Sequence, residues 1–126
     1  MKRSIGGRPL ATKPGSYCPE AGDFIWIDLD PTVGHEQSGR RPAIVPSPHN
    51  YNAAAGLCVI CPITSHACDY PFEVALPDGA RLRGVVLVDQ PLSISWEKRP
   101  IRHAGRAPDV VMDEVRERLA ALLGID

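Results

Sequence analysis

Apolar residues in this chain come in short runs, each cut by proline or glycine, with 13 prolines and 11 glycines among 126 residues. Proline has no N–H to give and fixes φ, so it breaks helix interiors and central strands alike. Such a chain is confined to short strands joined by turns. Residues 23–30 form the clearest strand, with Ile25, Ile27 and Leu29 on one side and Phe24, Trp26, Asp28 and Asp30 on the other, before Pro31 ends it. Further strands are expected at 42–45, 57–63, 72–76, 81–89 and 92–96, with a turn at Pro77-Asp78-Gly79 and loops over 32–41 and 49–56. One helix is expected near the C-terminus: Asp109 serves as its N-cap, Val111, Met112, Val115, Leu119, Leu122 and Leu123 form its apolar stripe, and Gly124 stops it. The pattern is mostly β, a small barrel with a terminal helix packed on it.

The length suits one domain, and 44% hydrophobic residues supply a core. Residues 1–16 are basic and rich in glycine and proline, and read as a flexible tail before a domain over 17–126. No apolar run approaches the roughly 20 residues that cross a bilayer, and no apolar segment follows the basic N-terminus as in a secretory signal. The expectation is a cytoplasmic protein with no membrane contact.

Net charge is −1, but it is unevenly spread. Residues 17–36 carry five acids and no Lys or Arg, whereas residues 98–106 carry Lys98, Arg99, Arg102, His103 and Arg106 and no acid. That segment reads either as a solvated loop or as a local phosphate-binding patch. Cys58 and Cys61 have metal-knuckle spacing, yet on a strand they point to opposite faces and cannot readily share an ion. They are expected to be core thiols, with no metal and no cofactor.

Three segments concentrate chemistry. Gly34-His35-Glu36-Gln37-Ser38-Gly39-Arg40-Arg41-Pro42 places a carboxylate and two guanidiniums in a glycine-bearing loop. Pro62-Ile63-Thr64-Ser65-His66 brings hydroxyls out at a strand end, and Asp89-Gln90-Pro91-Leu92-Ser93 does the same with an amide. Singly, each also fits an ordinary loop or cap.

In this order, with Gly22-Asp23-Phe24-Ile25-Trp26-Ile27-Asp28-Leu29-Asp30-Pro31 ahead of them and Tyr70-Pro71-Phe72-Glu73-Val74 and Val88-Asp89-Gln90 following, they resemble the MazF/PemK toxins over residues 17 to about 125. The resemblance implies an SH3-like barrel of the MazF/CcdB type and a homodimer. It also implies a metal-independent endoribonuclease that cuts single-stranded RNA by attack of the ribose 2′-hydroxyl, with a MazE-like antitoxin as partner. By position, Arg41 and Thr64 match the family's catalytic arginine and threonine, and Glu36 a proposed general base that could instead position Arg41. Gln37, Arg40, Asn50, Tyr51 and Gln90 are candidate RNA contacts, and His35 and His66 are nearby acid–base groups. Two rival readings are a CcdB-like gyrase poison, for which residues 120–126 lack an aromatic finish, and an SH3-like peptide-binding module, for which 6% aromatic residues supply few groove residues.

Overall fold

A computed structural model describes residues 14–29 and 39–125. Among the described residues seven strands and two helices follow one another as β1 (Asp23–Leu29), β2 (Gly39–Ile44), α1 (His49–Ala55), β3 (Leu57–Thr64), β4 (Glu73–Ala75), β5 (Val85–Leu87), β6 (Leu92–Ser95), β7 (Ile101–Arg106) and α2 (Asp109–Leu123). The strands form one antiparallel sheet in the order β4-β5-β3-β2-β1-β7, with β6 also on β3. No pairing among the described residues joins β4 to β7, so the sheet is open where the sequence suggested a closed barrel.

Two apolar clusters hold it. One gathers Phe24, Ile44, Cys61, Ile63, Val74 and Val86 beneath Val111, Met112 and Val115 of α2. The other gathers Ile25, Ile27, Ala43, Cys58, Ile60, Ile94, Trp96 and Ile101. Strand alternation separates them: β1 gives Phe24 to the first and Ile25 and Ile27 to the second. β3 does the same with Cys61 and Cys58, so these thiols do face opposite ways. Burial pushes each of them up to about 12, which keeps both as neutral, packed groups.

Several local expectations need correction. Residues 49–55 are a helical turn, not loop. Asn52 fixes it from inside: its Nδ2 donates to the carbonyls of Pro19 and Ser47 (3.0 Å each), its Oδ1 accepts from Ser47 Oγ (2.7 Å), and its carbonyl accepts from Trp96 Nε1 (2.8 Å). The N-cap of α2 is Pro108, whose carbonyl takes the amides of Val111 and Met112, and Asp109 is the first helical residue. Gly124 ends α2 as expected, but Leu122 and Leu123 are exposed. The long strand expected over 81–89 shortens to Val85–Leu87.

The basic segment is not a solvated loop. It ends in β7, which pairs with β1 from Ile101 opposite Ile27 to Arg106 opposite Asp23. Arg106 Nη1 lies 2.9 Å from Asp23 Oδ1 and His103 Nε2 3.4 Å from it, while Tyr17 donates its hydroxyl to Oδ2 and the Glu20 amide reaches the same oxygen at 3.0 Å. A buried carboxylate is costly unless satisfied in this way. Burial, and then the bond to Asp23, raises the Tyr17 phenol well above its ordinary range. Asp23 thus ties the segment before β1 to β7, a structural role that strand patterning did not reveal.

Candidate active site

Arg41 stands on β2 opposite Ile27 of β1. On its other side β2 meets β3 with Ala43 opposite Pro62 and Ile44 opposite Cys61. Continuing that antiparallel register by two residues brings Arg41 level with Thr64, the last residue of β3. Directly opposed residues share a face. Arg41 and Thr64 therefore lie on the face of Ala43, Cys58 and Ile60, at the edge of that core, with Arg41 directly beside its member Ile27, and both are half-buried. Two positions 23 apart in sequence come level because β2 and β3 are adjacent.

The Thr64 hydroxyl is oriented locally, since its Oγ1 accepts the His66 amide at 3.2 Å. The O–H is left to donate outward. The exposed His66 ring has its Nδ1 3.4 Å from Ser65 Oγ. Thr64 is also approached from behind by Gly84, which falls inside the strand expected over 81–89. Gly84 has φ +117°, and a Cβ there would fall 2.2 Å from the Thr64 carbonyl oxygen. Only a residue without a side chain lets the chain entering β5 approach so closely. The sole sequence signal was a glycine at the head of Val85-Val86-Leu87-Val88.

Gln90 lies in the turn between β5 and β6, its amide on the Leu87 carbonyl (3.3 Å). Because both strands run along β3, this turn sits beside the stretch of β3 that leads to Thr64, and Gln90 is exposed there. Asn50 and Tyr51 are exposed on α1, beside the start of β3. Seven strand residues at about 3.3 Å each put that end roughly 23 Å from Thr64. Within one protomer they are not brought to Arg41. Arg40 is the neighbour of Arg41 but opposes Asp28, on the other face of the sheet. Glu36 and Gln37, with His35, lie outside the described residues. Arg99 Nη1 donates to the Asp28 carbonyl at 3.2 Å, at the Arg41 end of β1. Among the described residues no three His, Cys, Asp or Glu side chains converge as a metal site.

Residues 20–123 match the family described as PemK-like, MazF-like toxin of type II toxin–antitoxin system. The chain belongs to this family. Among its PemK-like relatives, Endoribonuclease toxin MazF of Escherichia coli strain K12 is 42% identical over 108 residues, covering 86% of this chain and 96% of the relative. Endoribonuclease PemK of Escherichia coli is 39% identical over 108 residues, covering 82% of this chain and 81% of the relative. A MazE–MazF crystal structure from Deinococcus radiodurans superposes with a TM-score of 0.81 at 47% identity, covering 88% of this chain and all of that one. The fold is thus the MazF-like one: a mostly β antiparallel sheet with a C-terminal helix.

Proposed function

We propose that this protein is the toxin of a type II toxin–antitoxin pair, a sequence-specific endoribonuclease that cuts single-stranded mRNA and so halts translation. Its relatives carry the name endoribonuclease at 39–42% identity. The observation that carries the reading is the β2–β3 register, which, extended two residues past Ala43 and Pro62, makes Arg41 level with Thr64 on one face at the edge of the core.

The reaction is a transesterification. The ribose 2′-oxygen attacks the adjacent phosphorus and the bond to the 5′-oxygen breaks, leaving a 2′,3′-cyclic phosphate and a 5′-hydroxyl. One proton leaves the 2′-hydroxyl and one reaches the departing oxygen. Arg41 places a guanidinium on the phosphorane, whose charge grows in the transition state. Thr64 donates its hydroxyl to a non-bridging oxygen, which the His66 amide on its lone pair leaves it free to do. Glu36 is assigned the 2′-hydroxyl proton or the positioning of Arg41. The nucleophile is already tethered beside its target, so much of the entropic barrier is removed by the substrate itself, and no metal or cofactor is needed. Gln37, Arg40 and Gln90 are assigned to RNA, together with Asn50 and Tyr51, which would reach it from the far end of β3.

The domain is taken to span residues 17–126 behind a basic tail over 1–16. Its finer fold is read as an SH3-like barrel, supported by a sheet with a core cluster on each face. No helix among the described residues is long and apolar enough to cross a membrane. A cytoplasmic location follows from the RNA substrate, and a homodimer with a MazE-like antitoxin from the MazE–MazF assemblies of similar chains. Cleavage of a long RNA in excess EDTA, with product ends analysed, tests the reading. Cutting at defined sites with 2′,3′-cyclic phosphate ends is expected. Activity lost on chelation and restored by Mg²⁺ or Zn²⁺ would overturn the metal-free mechanism.

A further inference from the structure

Arg40 and Arg41 are consecutive on β2, so they project from opposite faces of the sheet. The face that receives Arg40 carries Trp26, which stands between Pro42 on β2 and Arg102 on β7 in direct register. Arg40, opposite Asp28, is two residues along and a diagonal neighbour of that indole. One step the other way, Phe24 opposes Gly105, and the stem of Arg81 lies where a Cβ at Gly105 would be, its Cγ 2.8 Å from that position. Three arginine positions thus lie around one tryptophan position: Arg102 directly across from it, Arg40 on the diagonal, and Arg81 with its stem beside the next residue pair on that face. Arg81 and Arg102 are exposed, and Arg40 and Trp26 are half-buried.

These arginines differ from others in the chain. Arg99, Arg106 and Arg118 each hold a carbonyl or a carboxylate. Among the described residues the side chains of Arg40, Arg81 and Arg102, like those of Arg83 and Arg116, make no hydrogen bond or ion pair, and what sets the three apart is their register around Trp26. Asp28 is the single carboxylate of β1 on this face, and it makes no ion pair with the Arg40 it opposes. Among the described residues no fold contact engages these three cations beside a part-exposed indole. A single-stranded RNA segment does: its base stacks on the indole, its phosphates meet the guanidiniums, and Asp28 accepts from an exocyclic amino group. An acidic peptide would answer the charges but has no need of the flat ring between them.

We propose that this second face, Trp26 with Arg40, Arg81 and Arg102, is a stacking subsite for a nucleotide flanking the cleaved bond. The inference rests on the endoribonuclease reading and deepens it. Arg40 and Arg41 are adjacent on β2, so this subsite and the proposed cleavage site share one strand end.

The test uses the full chain and two RNAs bearing a 2′-deoxy nucleotide at the cleaved position. One covers the cleavage site alone, and the other extends it by about five nucleotides on each side, a span comparable with small single-strand binding sites. Affinities are read by fluorescence anisotropy. The wild type is expected to bind the longer RNA about tenfold more tightly than the shorter. Trp26→Ala abolishes that advantage, Trp26→Phe keeps most of it, and Arg102→Ala lowers the salt dependence by about one phosphate contact on the longer RNA only. The proposal is overturned if Trp26→Ala keeps the long-to-short ratio, if both RNAs weaken equally, or if antitoxin binding alone suffers. Should Trp26→Ala fail to fold, Arg81→Ala with Arg102→Ala decides the matter by the same ratio. Wild type binding and cutting no RNA would instead reject the endoribonuclease reading, and this inference with it.

Discussion

Arg41 contributes charge at the end of a core, not bulk inside it, so its removal should cost little packing. Arg41→Ala is expected to slow single-turnover cleavage about a hundredfold, roughly 3 kcal/mol of transition-state stabilisation, with the thermal melt nearly unchanged. Thr64→Ala should do nearly the same, and Arg40→Ala should weaken binding and its salt dependence more than the chemical step. Gly84→Ala should slow cleavage by displacing Thr64 while also lowering the melting temperature, because positive φ and the Thr64 carbonyl both oppose a side chain there. A Gly84→Ala enzyme with wild-type rate would deny Gly84 that positioning role. Arg41 and Thr64 could be proposed from sequence because each sits in a motif whose residue types and order are distinctive. Their shared face was not legible, since it depends on which strand lies beside which. Gly84 and Asp23 were hidden for the same reason: a glycine in an apolar run and an acid at a strand start acquire their roles only through distant partners.

Strand alternation alone read Phe24, Ile25 and Ile27 onto their correct sides, and it separated Cys58 from Cys61. It failed where tertiary bonds outweigh local pattern. Residues 49–55 looked like loop because Asn50, Tyr51 and Asn52 are poor helix formers, yet the Asn52 side chain is bonded across the fold and three alanines complete the turn. The basic run at 98–106 read either as a solvated loop or as a phosphate-binding patch because nothing nearby in sequence balances it, whereas its ends are anchored on Asp28 and Asp23. The buried thiols offer a check on the β3 assignment. Cys68 is exposed and should react at once with a thiol reagent in the native protein, while Cys58 and Cys61 should wait for unfolding. Rapid native labelling of four thiols would contradict the placement of β3. The same burial has a pH consequence. Because both thiols are raised from 9.0 to about 12 in the fold, the unfolded chain ionises first as pH rises. Stability from this source is full below pH 9 and declines between about 9 and 12, by about 1.4 kcal/mol per pH unit for each thiol. Denaturant midpoints measured from pH 8 to 11 should fall accordingly.

An open sheet with Arg41 and Thr64 at the edge of one core leaves polar surface at its end, and the distance from there to Asn50 and Tyr51 means that one protomer cannot gather every assigned RNA contact at one bond. A second copy could carry α1 toward the first copy's Arg41, which fits the dimer assigned to this protein. Sedimentation should therefore show a dimer at micromolar concentration, and an antitoxin with an acidic C-terminal segment should compete with RNA for Arg41. A monomer, or antitoxin and RNA bound together without competition, would count against this arrangement. Everything assigned to Glu36, Arg41 and Thr64 depends on the nucleophile being part of the substrate. The direct measurement replaces the 2′-hydroxyl at the cleaved nucleotide by hydrogen in an otherwise identical RNA. The account predicts that the protein binds this RNA and leaves that bond intact, while cutting the all-ribose control. Cleavage of the deoxy-substituted bond would make water the nucleophile and contradict the mechanism.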